Sequence, residues 1–180
     1  NVGPYRPSIC LSSLLVLCTI LPAFPAEMLA PGEPEALSAR EMPDAPWPAF
    51  HGNAGRDGNC TGFGPGTSTI LWSGSTGDNC YGSPAVAGKR VFIGSTGGTM
   101  YCFDADTGAG LWTFATGGGI HSTPWVDIVS DRLYFGSHDT YVYCLNATSG
   151  GQIWRTRLGG VVTSSPLLQD GLVYVGCGDF

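Results

Sequence analysis

From Ser83 onward, short apolar runs alternate with turn residues, and the alternation keeps returning in the same order. Between Leu111 and Arg157 the pattern predicts four strands: Ser122 to Asp127, Arg132 to Ser137, Tyr141 to Asn146 and Gln152 to Arg157. Their β-branched and aromatic content and their short length both suit strands. The turns between them have a local mechanism. Asp104 precedes Thr107-Gly108, and Asn146 precedes Ser149-Gly150. A short polar side chain folds back on the backbone there, and glycine takes the positive φ. No long segment outside the N-terminal apolar stretch has helical periodicity, so the pattern predicts an all-β chain.

The order of the runs is a repeat. Trp72, Trp112 and Trp154 stand 40 and 42 residues apart (72 to 112, 112 to 154). Pro84, Pro124 and Pro166 keep the same intervals, as do Gly94, Gly136 and Gly176. A period near forty with four short strands per unit is the signature of a β-propeller blade. The units run 71–110, 111–152 and 153–180, the last of them truncated, so about two and a half blades are expected. A propeller closes with roughly four to eight blades. The remaining blades are expected from further sequence or from self-association. The tryptophans are expected to fill the wedge between neighbouring sheets. Together with the prolines and glycines of the same phase, they read as blade-packing residues.

The shared pattern is W, then S/T-P, then V-Y/F-x-G-S, then Y-C-x-D/N-A-x-T/S-G. It resembles the PQQ-like (pyrroloquinoline-quinone-like) repeat. The segment Trp47-Pro48-Ala49-Phe50-His51-Gly52-Asn53, continuing through Arg56 and Gly58, resembles the lead-in to the first blade of that family. The resemblance covers 47–180 and is specific for fold, not for activity. The family includes quinone-dependent alcohol and sugar dehydrogenases. It also includes members that bind no quinone, among them the propeller lipoprotein of outer-membrane assembly. Three functional classes follow from the resemblance. The first is a non-catalytic scaffold that presents loops and strand edges to a protein partner or a carbohydrate. The second is part of a quinone-dependent dehydrogenase, which implies an adjacent cysteine pair, a calcium site of Glu, Asn and Asp, and a tryptophan platform. The third is a sensory or accessory propeller fused to another domain. The first is the leading expectation, with no cofactor; PQQ and calcium belong only to the second.

In this family the innermost strand lines a central channel. The resemblance therefore makes Tyr81, Ser83, His121, Ser122, Thr163 and Ser164 candidate channel-facing residues. Cys102 and Cys144 stand where the family usually has alanine. A small, readily buried side chain reads as packing there. A disulfide between the two is not expected, because packed sheets lie about 10 Å apart.

Composition and charge narrow the rest. The net charge is −6 with no basic stripe, which argues against nucleic acid. Arg155 and Arg157 alternate along one strand and read as a solvated outer edge. No G-x-S-x-G element, H-E-x-x-H pair or phosphate loop is present. His51 and His138 have no acid at triad or metal spacing. Asp139 and Asp179 share one hairpin position and read as turn residues or, alternatively, as metal ligands. No C-x-x-C pair points to structural zinc. A disulfide between Cys60 and Cys80 stays open, since spacing does not show geometry. Two Asn-x-Thr sequons, at Asn59 and Asn146, matter only in a eukaryotic secretory pathway, and Asn146 is better read as a turn residue.

The N-terminal part reads as targeting and tether. Ile9 to Leu21 is an apolar stretch after Arg6, too short to span a bilayer, so residues 1–26 read as a signal peptide. A secreted or periplasmic protein is expected; translation from Met28 would leave it cytoplasmic. Residues 27–46 are an acidic, proline-rich linker without a period able to bury a core.

Overall fold

The computed structural model describes residues 68–178, together with residues 48–49 and the backbone of residues 16–17. Strand β1 (Val16–Leu17) is followed by β2 (Ala85–Ala87), β3 (Arg90–Gly94), β4 (Thr99–Asp104) and β5 (Gly110–Ala115). Next come β6 (Trp125–Asp127), β7 (Arg132–Gly136), β8 (Tyr141–Asn146) and β9 (Gln152–Arg157). The last two are β10 (Leu167–Gln169) and β11 (Leu172–Tyr174). There is no helix among the described residues. The strands form three antiparallel sheets, in the orders β2-β3-β4-β5, β6-β7-β8-β9 and β1-β11-β10. The first two are complete four-stranded blades of a partial propeller. In the third, β1 pairs with β11 through Val16↔Val173 and Leu17↔Leu172, in the place that β4 takes beside β3. The rest of 1–26, read as a leader, and the linker 27–46 lie outside the described residues.

The four strands expected in the second unit are present, with the first beginning at Trp125 instead of Ser122. The hydrogen-bonded sheets are out of phase with the sequence units. Trp112 opens the second unit by sequence but lies on β5, which completes the first blade. The repeat boundary at 110/111 therefore falls inside a strand, and the blades span 85–115 and 125–157. A repeat can be cut anywhere along its period; only pairing decides which strand belongs to which sheet.

Side-chain alternation explains why the middle blade is so apolar. Leu133, Phe135, Tyr143 and Leu145 point one way and share a core with Ala85, Phe92, Met100 and Cys102 of the first blade. Tyr134 and Cys144 point the other way, into a cluster with Trp125 and Val173. A strand covered on both faces loses the apolar-polar alternation of a half-buried one. Each fully buried large side chain contributes roughly 1.5–3 kcal/mol.

One row of side chains runs across each blade. Phe92 is opposite Cys102, and Cys102 is opposite Trp112. Tyr134, Cys144 and Trp154 repeat the row. The flanking rings come within 5.9 Å (Phe92–Trp112) and 6.0 Å (Tyr134–Trp154), both tilted at 48°. The cysteine between them is short enough to let the rings meet above it. Cys102 is completely buried, and burial raises its thiol pKa to about 12, so it behaves as a small apolar group. Just beyond each cysteine the register shifts at the same point of both blades, which is a β-bulge.

The blades are joined by contacts that recur at the repeat interval. The Trp72 indole N–H donates to the Ala105 carbonyl at 2.8 Å, and that of Trp112 to the Ala147 carbonyl at 3.1 Å. Each indole lies over the glycine of the next turn. A Cβ on Gly108 would come within 2.6 Å of the Trp72 ring, and one on Gly150 within 2.7 Å of the Trp112 ring. Both glycines also have positive φ, +73° and +74°, so only glycine satisfies both demands. In the same way, a Cβ on Gly94 would collide with Ile120, and one on Gly136 with Val162.

Gly136→Ala is expected to destabilise the protein by about 1–3 kcal/mol, because Val162 must be displaced from a packed interface. Gly176→Ala is the control. A Cβ there would lie 3.5 Å from the Ser164 hydroxyl, an ordinary contact, and the change should stay within about 0.5 kcal/mol. Urea denaturation midpoints of the two variants check the contrast.

Candidate functional site

The lead-ins to the three inner strands (81–84, 121–124 and 163–166) lie along one rim of the sheets. A hydroxyl ladder ties them together. The Ser83 backbone N–H donates to Thr123 Oγ1 at 2.9 Å, and the Thr123 N–H donates to Ser165 Oγ at 3.0 Å. These bonds link adjacent blades, because each donor and acceptor sits in successive units.

The expected channel-facing residues divide. Ser122 is buried and does not face the rim. Its hydroxyl donates to the Gly136 carbonyl at 3.0 Å and accepts from the Gly136 N–H at 2.9 Å. Ser164 makes the same pair with Gly176, at 2.9 and 2.8 Å. Both hydroxyls are turned back onto the second strand of their own blade. They satisfy backbone groups of the second strand that the short first strand does not reach, since β6 begins only at Trp125 and β10 at Leu167. Ser83 is exposed and enters the ladder through its backbone.

Tyr81, His121 and Thr163 do come together, through a residue that sequence reasoning left aside. His138 sits in the β7–β8 hairpin, and its backbone N–H donates to the Gly119 carbonyl at 2.9 Å. That bond carries its ring to His121, with centroids 3.9 Å apart and planes tilted by 35°. His138 Nε2 is 3.3 Å from Thr163 Oγ1. On the other side, the Tyr81 ring meets His121 edge-on at 5.0 Å. Tyr81 is 68% exposed. One ridge therefore crosses all three blades in the order Tyr81, His121, His138, Thr163. The sequence signal for His138 was its repeat phase alone: it occupies the position of Thr96, directly after the Gly-Ser pair of the second strand.

Asp139, next to this ridge, is a clamp. Its carboxylate accepts from the Gly117 N–H (2.8 Å), the Tyr141 N–H (3.1 Å) and the Tyr143 hydroxyl (2.6 Å). Burial raises its pKa, but these bonds outweigh burial and hold it below the ordinary carboxylate value. Tyr143 is pushed up to about 12, by burial first and then by its bond to Asp139. With donors already on both oxygens, Asp139 is a turn residue that ties the second blade to the loop leaving the first. In the first blade, Gly97 takes this position and the Asp78 carboxylate lies against it from the preceding loop. Asp179 lies outside the described residues, as do Cys60 and His51. Asn146 also acts in a turn. Its Oδ1 accepts from the Ser149 N–H at 2.7 Å, and its Nδ2 donates to Asp131 at 2.8 Å.

A second surface lies at the start of the second blade. The Val126 N–H donates to the Pro48 carbonyl at 2.8 Å, which lays Pro48 beside β6. A groove of about 300 Å³ opens there, lined mainly by Pro48, Ala87, Trp125, Ile128, Val129 and Leu168. The β6–β7 hairpin projects Val129 beside it, 94% exposed.

Four-stranded antiparallel blades joined by recurring Trp–Gly contacts define a segment of β-propeller. The chain belongs to the PQQ-like repeat family: the family model described as outer membrane protein assembly factor BamB matches residues 56–128 and 128–179. Solved structures agree on the fold. BamB from Moraxella catarrhalis is 21% identical with a TM-score of 0.54, covering 59% of this chain and 33% of its own. Quinohemoprotein alcohol dehydrogenase from Comamonas testosteroni is 16% identical with a TM-score of 0.62, covering 75% of this chain and 23% of its own. A europium-containing methanol dehydrogenase is 18% identical with a TM-score of 0.54, covering 62% and 23%. The chain thus spans a third or less of the length of these structures. No curated protein sequence matches it significantly.

No two cysteines are adjacent in the chain. Trp72 and Trp112 are committed to glycine turns, and no group of three or more His, Cys, Asp or Glu side chains is placed to hold a metal among the described residues.

His121 has its pKa lowered, by burial first and then by the neighbouring His138 charge. Its folded pKa therefore lies below the unfolded value near 6.5, so the folded state binds the proton less well than the unfolded chain. The stability tied to its neutral form is present above that value and is lost as the pH falls through the folded pKa. An NMR titration of the His121 ring should show a midpoint below 6.5, and His138→Ala should move it upward.

Proposed function

We propose that this propeller segment is a non-catalytic scaffold that binds a protein partner in an exported compartment. The observation that carries the reading is the apolar groove beside β6 with the exposed Ile128-Val129 hairpin above it. An apolar projection next to an apolar cleft is costly to leave in water and suits a partner's side chains. The matched family description, an outer-membrane assembly factor, supports the same reading. The leader-like stretch before Pro22 supports export. Among the described residues, no helix is long and apolar enough to cross a membrane.

The dehydrogenase reading rests on structural likeness to enzymes of which this chain covers less than a quarter. It predicts dye reduction with an alcohol once PQQ and calcium are added; the scaffold reading predicts none.

A photo-crosslinking residue placed at Val129 should give one discrete adduct in cells of the source organism. Ile128→Asp, made in the same background, should abolish that adduct while changing the stability to unfolding by no more than about 0.5 kcal/mol. An adduct of equal strength from a probe at Asp78, which lies against the β3–β4 hairpin at the opposite end of β3 from Gly88 and Ile128, would overturn the reading.

A further inference from the structure

The ridge across the blades holds two imidazoles that blade packing does not require. His121 and His138 come from different elements, the lead-in to β6 and the β7–β8 hairpin, and meet with ring centroids 3.9 Å apart. Both lie on the open rim instead of in the shared core. Two nitrogens bound to one ion at about 2.0–2.1 Å stand roughly 2.9 Å apart at the right angle of a tetragonal copper(II) site and roughly 3.3 Å apart in tetrahedral geometry. The rings now lie nearly face to face, so sharing an ion requires one of them to turn about its side-chain bonds until both in-plane lone pairs converge.

We propose that His121 and His138 form a two-imidazole site for a borderline divalent transition ion. Imidazole suits copper and zinc, and copper(II) stands above zinc(II) in the general affinity order, so copper(II) is expected to bind more tightly. The remaining positions go to water. Thr163 Oγ1, 3.3 Å from His138 Nε2, is placed to hydrogen-bond such a water. Asp139 is not a ligand, because its oxygens already take two backbone N–H groups and the Tyr143 hydroxyl. Tyr81 packs edge-on against His121. No group of three or more ligating side chains is placed to hold a metal among the described residues, so the site is an open one with exchangeable positions, not a closed structural one. The site is independent of the groove beside β6 and of the protein-binding reading.

The test uses the untagged full chain at pH 7.5 with its accessible thiols blocked by iodoacetamide, because the exposed Cys80 thiol would otherwise reduce and bind copper(II). Copper(II) titrated by calorimetry should bind one equivalent, and zinc(II) should compete more weakly. The electron paramagnetic resonance spectrum of the copper form should show coupling to two nitrogens. His121→Ala and His138→Ala should each weaken copper binding at least about tenfold, as losing a ligand must cost no less than losing a group behind one. Each should leave one coupled nitrogen. His51→Ala, at the third histidine of the chain, should leave binding unchanged. Binding that persists unaltered in the double variant would overturn the proposal. So would a wild-type spectrum without two coupled nitrogens, a result that does not depend on any variant folding.

Discussion

One contact recurs at each described blade junction and dictates most of the repeat: an indole lying on a glycine turn of the next blade. Trp112 leaves the outer strand of the first blade, covers Gly150 and donates its N–H to the Ala147 carbonyl. Trp72 does the same to Gly108 and Ala105. The ring removes water from the turn, and the N–H satisfies a carbonyl that no strand reaches. The turn must have positive φ and no side chain, which forces glycine. Most of the repeat follows from this: the Asp or Asn that builds the turn, the alanine whose carbonyl is used, and the tryptophan 33 or 35 residues before that alanine.

The other interface contacts obey the same logic of one blade completing the next. Gly94 and Gly136 open space for Ile120 and Val162. Ser122 and Ser164 hold the inner strand to the second, while the Ser83–Thr123–Ser165 ladder holds inner strands of adjacent blades. A blade with both neighbours has two buried faces and reads as continuous apolar sequence, as β7 and β8 do. Leu71, at the same repeat position as Leu111, is 85% exposed where Leu111 is 48%. The difference reflects neighbours: β5 pairs with β4, whereas residues around Leu71 have no strand beside them among the described residues.

Strand existence, turn chemistry and fold class were legible in the sequence because each has a local cause: alternation, an Asx turn, a fixed period. What was not legible depends on pairing. The repeat could not by itself fix where one blade's sheet ends, although the strand expected over 152–157 already carried Trp154 across the 152/153 boundary. Nor could it show that Ser122 turns inward, since serine suits a wet rim and a backbone clamp equally well. The cysteines read correctly as packing residues, but the reason, two aromatic rings meeting above them, needs the register. His138 escaped because nothing local marks it; only the hairpin's bond to Gly119 brings it to His121.

The account makes the Trp112 contact common to two blades, so losing it should be felt in both. Hydrogen exchange of Trp112→Ala against the parent chain tests this directly. Faster exchange is predicted in β4 and β5 and also across the 146–151 turn and β8. Faster exchange confined to β4 and β5, with the second blade unchanged, would contradict the claim that the indole joins the blades.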